Sequence, residues 1–133
     1  MKRLALALFA LFPIAAAANE PLPSQLAFQV SMNRVDNQTL VLNFQMPEGY
    51  YLYKKRLALV GSSGFDVTNL QVTGLKQLSD PDLGVEDVLD SSSRVVLHGK
   101  VAADVPVQVR LKIQGCLKGQ VCYPPEVRLV SEY

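Results

Sequence analysis

Hydrophobic residues alternate with polar ones in short runs along most of the chain. Leu26, Phe28, Val30 and Met32 make the first run; Leu40, Leu42, Phe44 and Met46 make the second, after a turn region at residues 33–39. Period-two alternation marks strands with one buried face, so these runs predict an antiparallel pair. Pro47-Glu48-Gly49 closes the second strand, and Tyr50-Tyr51-Leu52-Tyr53-Lys54-Lys55 follows. Further strands are expected at residues 56–60, 65–72, 94–101 and 105–113, with Gly61-Ser62-Ser63-Gly64 as a turn. A last short run covers residues 127–130.

Residues 75–93 break this pattern. They hold Asp80-Pro81-Asp82-Leu83-Gly84 and the acidic Glu86, Asp87 and Asp90, so turn chemistry dominates and a long loop is predicted, with a short strand near Val88. A loop of that length in a small domain is usually a binding element, a lid or disordered. Beyond the first 18 residues no apolar period of 3.6 persists. Short strands separated by turn signals predict an all-β sandwich.

The first 18 residues stand outside that scheme. Lys2 and Arg3, an apolar run at residues 4–14 and Ala16-Ala17-Ala18 have the order of a secretory signal peptide, with a run too short for a membrane span. Removing them from the 133 residues leaves 115, enough for one domain with one core. That remainder has 11 basic and 12 acidic residues, a balance that gives no reason to expect nucleic acid or an anionic membrane as partner. The short leader suits export to a bacterial periplasm, where cysteines can oxidise.

Both cysteines lie in one stretch, residues 114–126. If Lys118, Gly119 and Gln120 form a three-residue hairpin loop, Leu117 faces Val121 and Cys116 faces Cys122. Directly opposed Cα atoms are about 4.5–5.5 Å apart, within reach of a disulfide. So short a loop is a weak staple, worth about 2 kcal/mol against about 3 for a fifteen-residue loop, and hairpin-tip bonds reduce readily. Spacing alone leaves a structural bridge and a redox pair both open. The Tyr123-Pro124-Pro125 exit cannot continue a ladder, because proline has no N–H to give.

Other chemistries find less support. The single histidine, His98, falls mid-strand between Leu97 and Gly99, where a packed or solvent-facing side chain is expected rather than a catalytic base. Two thiols without further spaced ligands are too few for a closed zinc site, and no metal is expected. Glu86 and Asp87 read as a solvated loop. The three tyrosines at 50, 51 and 53 fit core packing or the wall of a site equally well, since each ring carries a hydroxyl that wants a partner.

Gly49-Tyr50-Tyr51-Leu52-Tyr53-Lys54-Lys55, then Gln114-Gly115-Cys116, five residues, and Cys122-Tyr123-Pro124-Pro125-Glu126 together resemble the N-terminal periplasmic domain of the thiol:disulfide interchange protein DsbD. The similarity covers residues 28–129. It implies an immunoglobulin-like β-sandwich with a long cap-like loop for residues 19–133, in agreement with the sandwich read from periodicity. It also implies a monomeric disulfide-reductase component without a cofactor. Such a domain takes electrons from a thioredoxin-like donor domain and passes them to a periplasmic disulfide isomerase or a cytochrome c maturation thioredoxin.

By position, Cys122 matches the cysteine that forms the mixed disulfide and Cys116 the one that resolves it. Tyr51 and Tyr53 match aromatic residues lining the active site, and Tyr123 is assigned to the same wall. The cap loop maps to Asp80, Asp82, Leu83 and Gly84, with Leu83 where an aromatic residue is usual. The resemblance does not extend to membrane segments or a thioredoxin-like domain, so a stand-alone relative or a fragment is expected. The competing reading is a non-enzymatic immunoglobulin-like binding module whose disulfide only pins the hairpin.

Overall fold

The first predicted hairpin forms as the alternation requires. In a computed structural model describing residues 20–102 and 106–132, β1 (Gln29–Asp36) pairs antiparallel with β2 (Thr39–Gln45) and sends Met32, Leu40, Leu42 and Phe44 into the interior. The expected leader and the start of a strand at Val105 lie outside the described residues. The other strands are β3 (Tyr50–Tyr53), β4 (Ala58–Ser63), β5 (Phe65–Thr73), β6 (Lys76–Asp80), β7 (Gly84–Leu89), β8 (Arg94–Val101), β9 (Gln108–Ile113), β10 (Gly115–Leu117), β11 (Val121–Cys122) and β12 (Glu126–Ser131).

One sheet has the order β1-β2-β8-β5. Across the core lie β12-β9-β4 and β11-β10-β3-β7-β6, every ladder antiparallel. Leu40, Leu42, Val95 and Leu97 from the first sheet meet Val109, Leu111, Ile113 and Val130 from the second and Leu52, Leu89 and Leu117 from the third. Burying an aliphatic side chain of this size stabilises the fold by about 1.5–3 kcal/mol. These last two sheets are continuous through the chain: β9 runs through Gln114 into β10, and β11 leads through the prolines into β12. The cysteine hairpin is thus the far end of a longer hairpin whose base is anchored in the core.

Four local expectations change. Leu26 belongs to a helical turn, α1 (Ser24–Ala27), and is exposed; Phe28 closes that turn through its N–H to the Ser24 carbonyl. The turn region at 33–39 shrinks to Asn37 and Gln38, because the ladder runs on to Asp36 and its carboxylate accepts the Gln38 N–H at 2.7 Å. The strand expected at 56–60 starts later, after a single 3₁₀ turn at Lys54–Arg56, and includes Gly61, Ser62 and Ser63. Gly64, with φ of +75°, makes the turn alone.

The largest change is at residues 75–93. They form a paired hairpin, β6 with β7, rather than a long loop. It escapes periodicity because most of its side chains face solvent, and only Val88 and Leu89 are buried.

Gly115 is fixed by close approach. A Cβ on Gly115 would stand 2.5 Å from the Phe28 ring and 2.7 Å from the Tyr51 carbonyl oxygen, so the residue before the first cysteine has no room for a side chain. Gly115→Ala should therefore destabilise the oxidised protein by about 1–3 kcal/mol, as overpacking generally does, in urea unfolding. An unchanged midpoint would mean that Phe28 moves aside without cost.

Candidate functional site

The site is built on β10, which has a neighbour on each side. Cys116 lies opposite Cys122 of β11 and opposite Tyr51 of β3; Leu117 faces Val121 and Tyr50. Strand alternation then sorts the side chains. Cys116, Cys122, Tyr51 and Tyr53 take one face of the sheet, while Tyr50, Leu52 and Leu117 take the other and join the main core.

Cys116 and Cys122 are joined in a disulfide, with Cα atoms 3.9 Å apart. That is closer than expected from the sequence. The two residues are a non-hydrogen-bonded pair, the narrower kind, flanked by the Tyr123 N–H donating to the Gly115 carbonyl at 2.8 Å. Gln120 N–H closes the three-residue loop on the Leu117 carbonyl at 3.0 Å, Gly119 supplies a φ of +72°, and Lys118 N–H ties the loop to Gly49 at 2.9 Å. Cys116 is 0 % exposed, whereas Cys122 is exposed. One sulfur of the bond is hidden and the other is presented.

Tyr51 and Tyr53 form the inner wall. Both are buried, and their rings meet edge to face with centroids 5.4 Å apart. The Tyr53 hydroxyl lies 3.5 Å from the Cys116 sulfur and 4.0 Å from the Cys122 sulfur. Burial pushes the Tyr51 phenol well above its ordinary value of 10.0, helped by its hydrogen bond to Tyr53 and by the charges of Tyr53 and Asp80. Tyr51 is therefore neutral at physiological pH. Lys55 stands 6.0 Å over the Tyr53 ring and pairs with Glu86 of β7 at 2.6 Å; its side chain is 44 % exposed, so this pair holds the hairpin down with at most about 1 kcal/mol.

The β6–β7 hairpin covers the cluster, with side chains other than those expected. Leu78 packs against the cluster that Tyr51, Tyr53, Val88 and Cys116 form. Leu83 sits at the hairpin tip, 52 % exposed. The Asp80 carboxylate accepts the N–H groups of Asp82 and Leu83 at 2.8 and 3.1 Å, and Gly84 has a φ of +78°. Asp82, Leu83 and Gly84 thus build the turn, and Asp80 also reaches the site through its charge on Tyr51. Sequence reasoning missed Leu78, an isolated apolar residue in a polar run that carries no periodic signal.

Tyr123 does not join the wall. As the next residue along from Cys122 it points to the opposite face, where its ring meets Phe28 edge-on at 5.2 Å and its hydroxyl donates to the Leu22 carbonyl at 2.5 Å. Desolvation, and then Tyr50, hold its phenol above the ordinary value. His98 is half-buried in β8, opposite Thr39 and Asn69 within the β1-β2-β8-β5 sheet and away from the cysteine sheet. Among the described residues no group of three or more His, Cys, Asp or Glu could hold a metal ion.

The sequence profile of the family described as thiol:disulfide interchange protein DsbD, N-terminal, matches residues 18–132. The chain belongs to this family. DsbD of Pseudomonas fluorescens is 35 % identical over 136 residues, covering 95 % of this chain and 22 % of the relative. DsbD 2 of Pseudomonas aeruginosa is 34 % identical over 114 residues, covering 86 % and 18 %. The chain therefore spans about a fifth of the length of these DsbD relatives.

Two solved structures share the fold. The reduced DsbD N-terminal domain of Neisseria meningitidis superposes with a TM-score of 0.61 at 23 % identity, over 83 % of this chain and 87 % of that one. The same domain in complex with the PilB N-terminal domain gives 0.66 at 22 %, over 86 % and 88 %. The sandwich is the immunoglobulin-like fold of the DsbD N-terminal domain, as the sequence predicted.

The raised Tyr51 value carries a sign. A native state that keeps a proton which the unfolded chain releases loses stability as pH rises through that interval. Unfolding free energy should fall as pH climbs above about 10, where unfolded tyrosine ionises, and Tyr51→Phe should flatten the fall. Equal slopes in urea unfolding of the two oxidised proteins would place the titration elsewhere.

Proposed function

We propose that the domain relays reducing equivalents by thiol–disulfide exchange through Cys116 and Cys122, and that Cys122 is the sulfur that meets partners. The observation that carries this reading is the difference in exposure across a single bond: a partner sulfur can reach Cys122 directly, whereas Cys116 lies under Tyr53 and Leu78.

The cycle balances without a cofactor. In the reduced protein the Cys122 thiolate attacks one sulfur of an acceptor disulfide, forming a mixed disulfide and releasing the acceptor's other sulfur as thiolate. Cys116, deprotonated as it attacks, displaces the acceptor from Cys122 and restores the internal bond. Two electrons and two protons pass to the acceptor. A donor dithiol then repeats the sequence in reverse on the exposed Cys122 sulfur. Tyr51 and Tyr53 keep water and adventitious thiols from Cys116, and the β6–β7 hairpin completes that shield.

The chemistry requires a donor with a low-potential dithiol, for which a thioredoxin-like domain is our candidate. Acceptors are periplasmic proteins with an exchangeable disulfide, such as a disulfide isomerase or a cytochrome c maturation thioredoxin. The PilB N-terminal domain captured with the meningococcal relative supports a protein acceptor of this general kind. We place the domain in the periplasm, with residues 1–18 as its leader and residues 19–133 as one unit. Among the described residues no helix is long and apolar enough to cross a membrane.

Cys116→Ser should trap a mixed disulfide through Cys122, and Cys122→Ser should trap none; equal trapping by both removes the assignment of roles. The reduction potential decides between relay and staple. A value of about −180 to −270 mV, where exchange proteins lie, supports the relay. A value well below about −300 mV marks a structural bond and makes the domain a binding module.

A further inference from the structure

We propose that Tyr123 is a positioning residue: with Tyr50 and the backbone of Leu22 it clamps the strand that carries Cys122, and so sets how strongly the cysteine pair favours its disulfide. The proposal rests on the relay reading only in naming Cys122 as the sulfur that meets partners.

From Lys118 to Pro125 every residue is exposed except Tyr123. β11 is two residues long and has one neighbour, β10. After it, Pro124 and Pro125 have no N–H with which to extend a ladder, and pairing resumes only at Glu126 against Ile113. While the disulfide is closed, the covalent loop holds this stretch. Once it opens, what remains is the short Leu117–Val121 pairing, the backbone bonds of Lys118 and Gln120 in the loop, and the attachments of Tyr123.

Those attachments are several. The Tyr123 N–H donates to Gly115 at 2.8 Å, its ring meets Phe28 at 5.2 Å and lies beside Tyr50 at 6.5 Å, and its hydroxyl donates to the Leu22 carbonyl at 2.5 Å. The Leu22 N–H in turn donates to the Tyr50 hydroxyl at 2.8 Å. Both polar groups of one peptide residue are thus gripped by phenols that sit next to site residues in sequence, Tyr50 beside Tyr51 and Tyr123 beside Cys122. The segment beyond Leu22 is held as well: Ser24 bonds Glu126 at 3.1 Å and accepts from Arg128 at 2.7 Å through its carbonyl.

Order supplied by one constraint lowers the entropy that a second must remove, so clamp and disulfide reinforce each other. With the clamp in place the two thiols of the reduced protein stay close, which raises the effective concentration of Cys116 at Cys122. Without it, closing the bond must also order β11, and the equilibrium moves toward the dithiol.

The test equilibrates the oxidised mature domain with a dithiothreitol redox buffer and counts free thiols in wild type, Tyr123→Phe, Tyr123→Ala and Tyr50→Phe. Leu97→Val, buried in the opposite sheet, serves as a control for general loss of stability. Tyr123→Phe keeps the ring and loses only the bond to Leu22; it should move the equilibrium about twofold to tenfold toward the dithiol, the span of one hydrogen bond. Tyr50→Phe should move it in the same direction, and Tyr123→Ala further, while the control stays at the wild-type value. If the Tyr123 variants shift no more than the control, the clamp does not act on the cysteines and the proposal falls. This equilibrium reads the clamp whether or not the protein is a relay; failure of the relay reading would show instead as a wild-type bond that thioredoxin-like reductants leave closed.

Discussion

Gly115, Cys116 and Leu117 are held by a ladder on each side, and that double pairing is what lets a sulfur be buried at the rim of the molecule. A strand at the edge of a sheet has one set of unpaired amides, and its side chains are easily reached. β10 escapes both conditions because β3 lies on one flank and the two-residue β11 on the other. The cost of that arrangement falls on β11, an edge strand too short to hold itself. Leu117 and the glycine face the core, Cys116 faces the tyrosines, and the same three residues serve stability and chemistry on opposite sides of one sheet.

The environment of the two sulfurs is set by position more than by charge. Cys116 is lined by phenol rings and aliphatic side chains, with no ion pair among the described residues ending on it. Cys122 is exposed to solvent. The contrast between them is one of access: solvent reaches Cys122, whereas Cys116 is closed in by the sheet on one side and the tyrosines on the other.

Much of this was readable from the sequence. The alternating runs at Leu40 to Met46 and Val107 to Ile113 announced strands with one buried face, and the spacing of Cys116 and Cys122 announced their register across a three-residue loop. The β6–β7 hairpin was not readable, because its ladder is made by the backbone while its side chains are mostly polar, and Asp80-Pro81-Asp82 signals a turn without saying that strands flank it. Leu78 stands alone among polar neighbours and gave no periodic signal, whereas Tyr123 departs from expectation for a reason of geometry. Facing in a strand is decided by the parity of neighbouring residues, and sequence adjacency to Cys122 places Tyr123 on the side away from the sulfurs.

The sandwich also orders events in time. β12 pairs with β9, and Glu132 bridges back to Met32 of β1, so the domain closes only after almost all of its described length is available, a topology of high contact order that folds slowly. The cysteines are six positions apart, while Tyr51 must arrive from the other half of the chain. The contact between the cysteines is therefore local in sequence, whereas the shield over Cys116 is not. Closing the disulfide needs one short hairpin, whereas hiding Cys116 needs β3 and the β6–β7 hairpin as well.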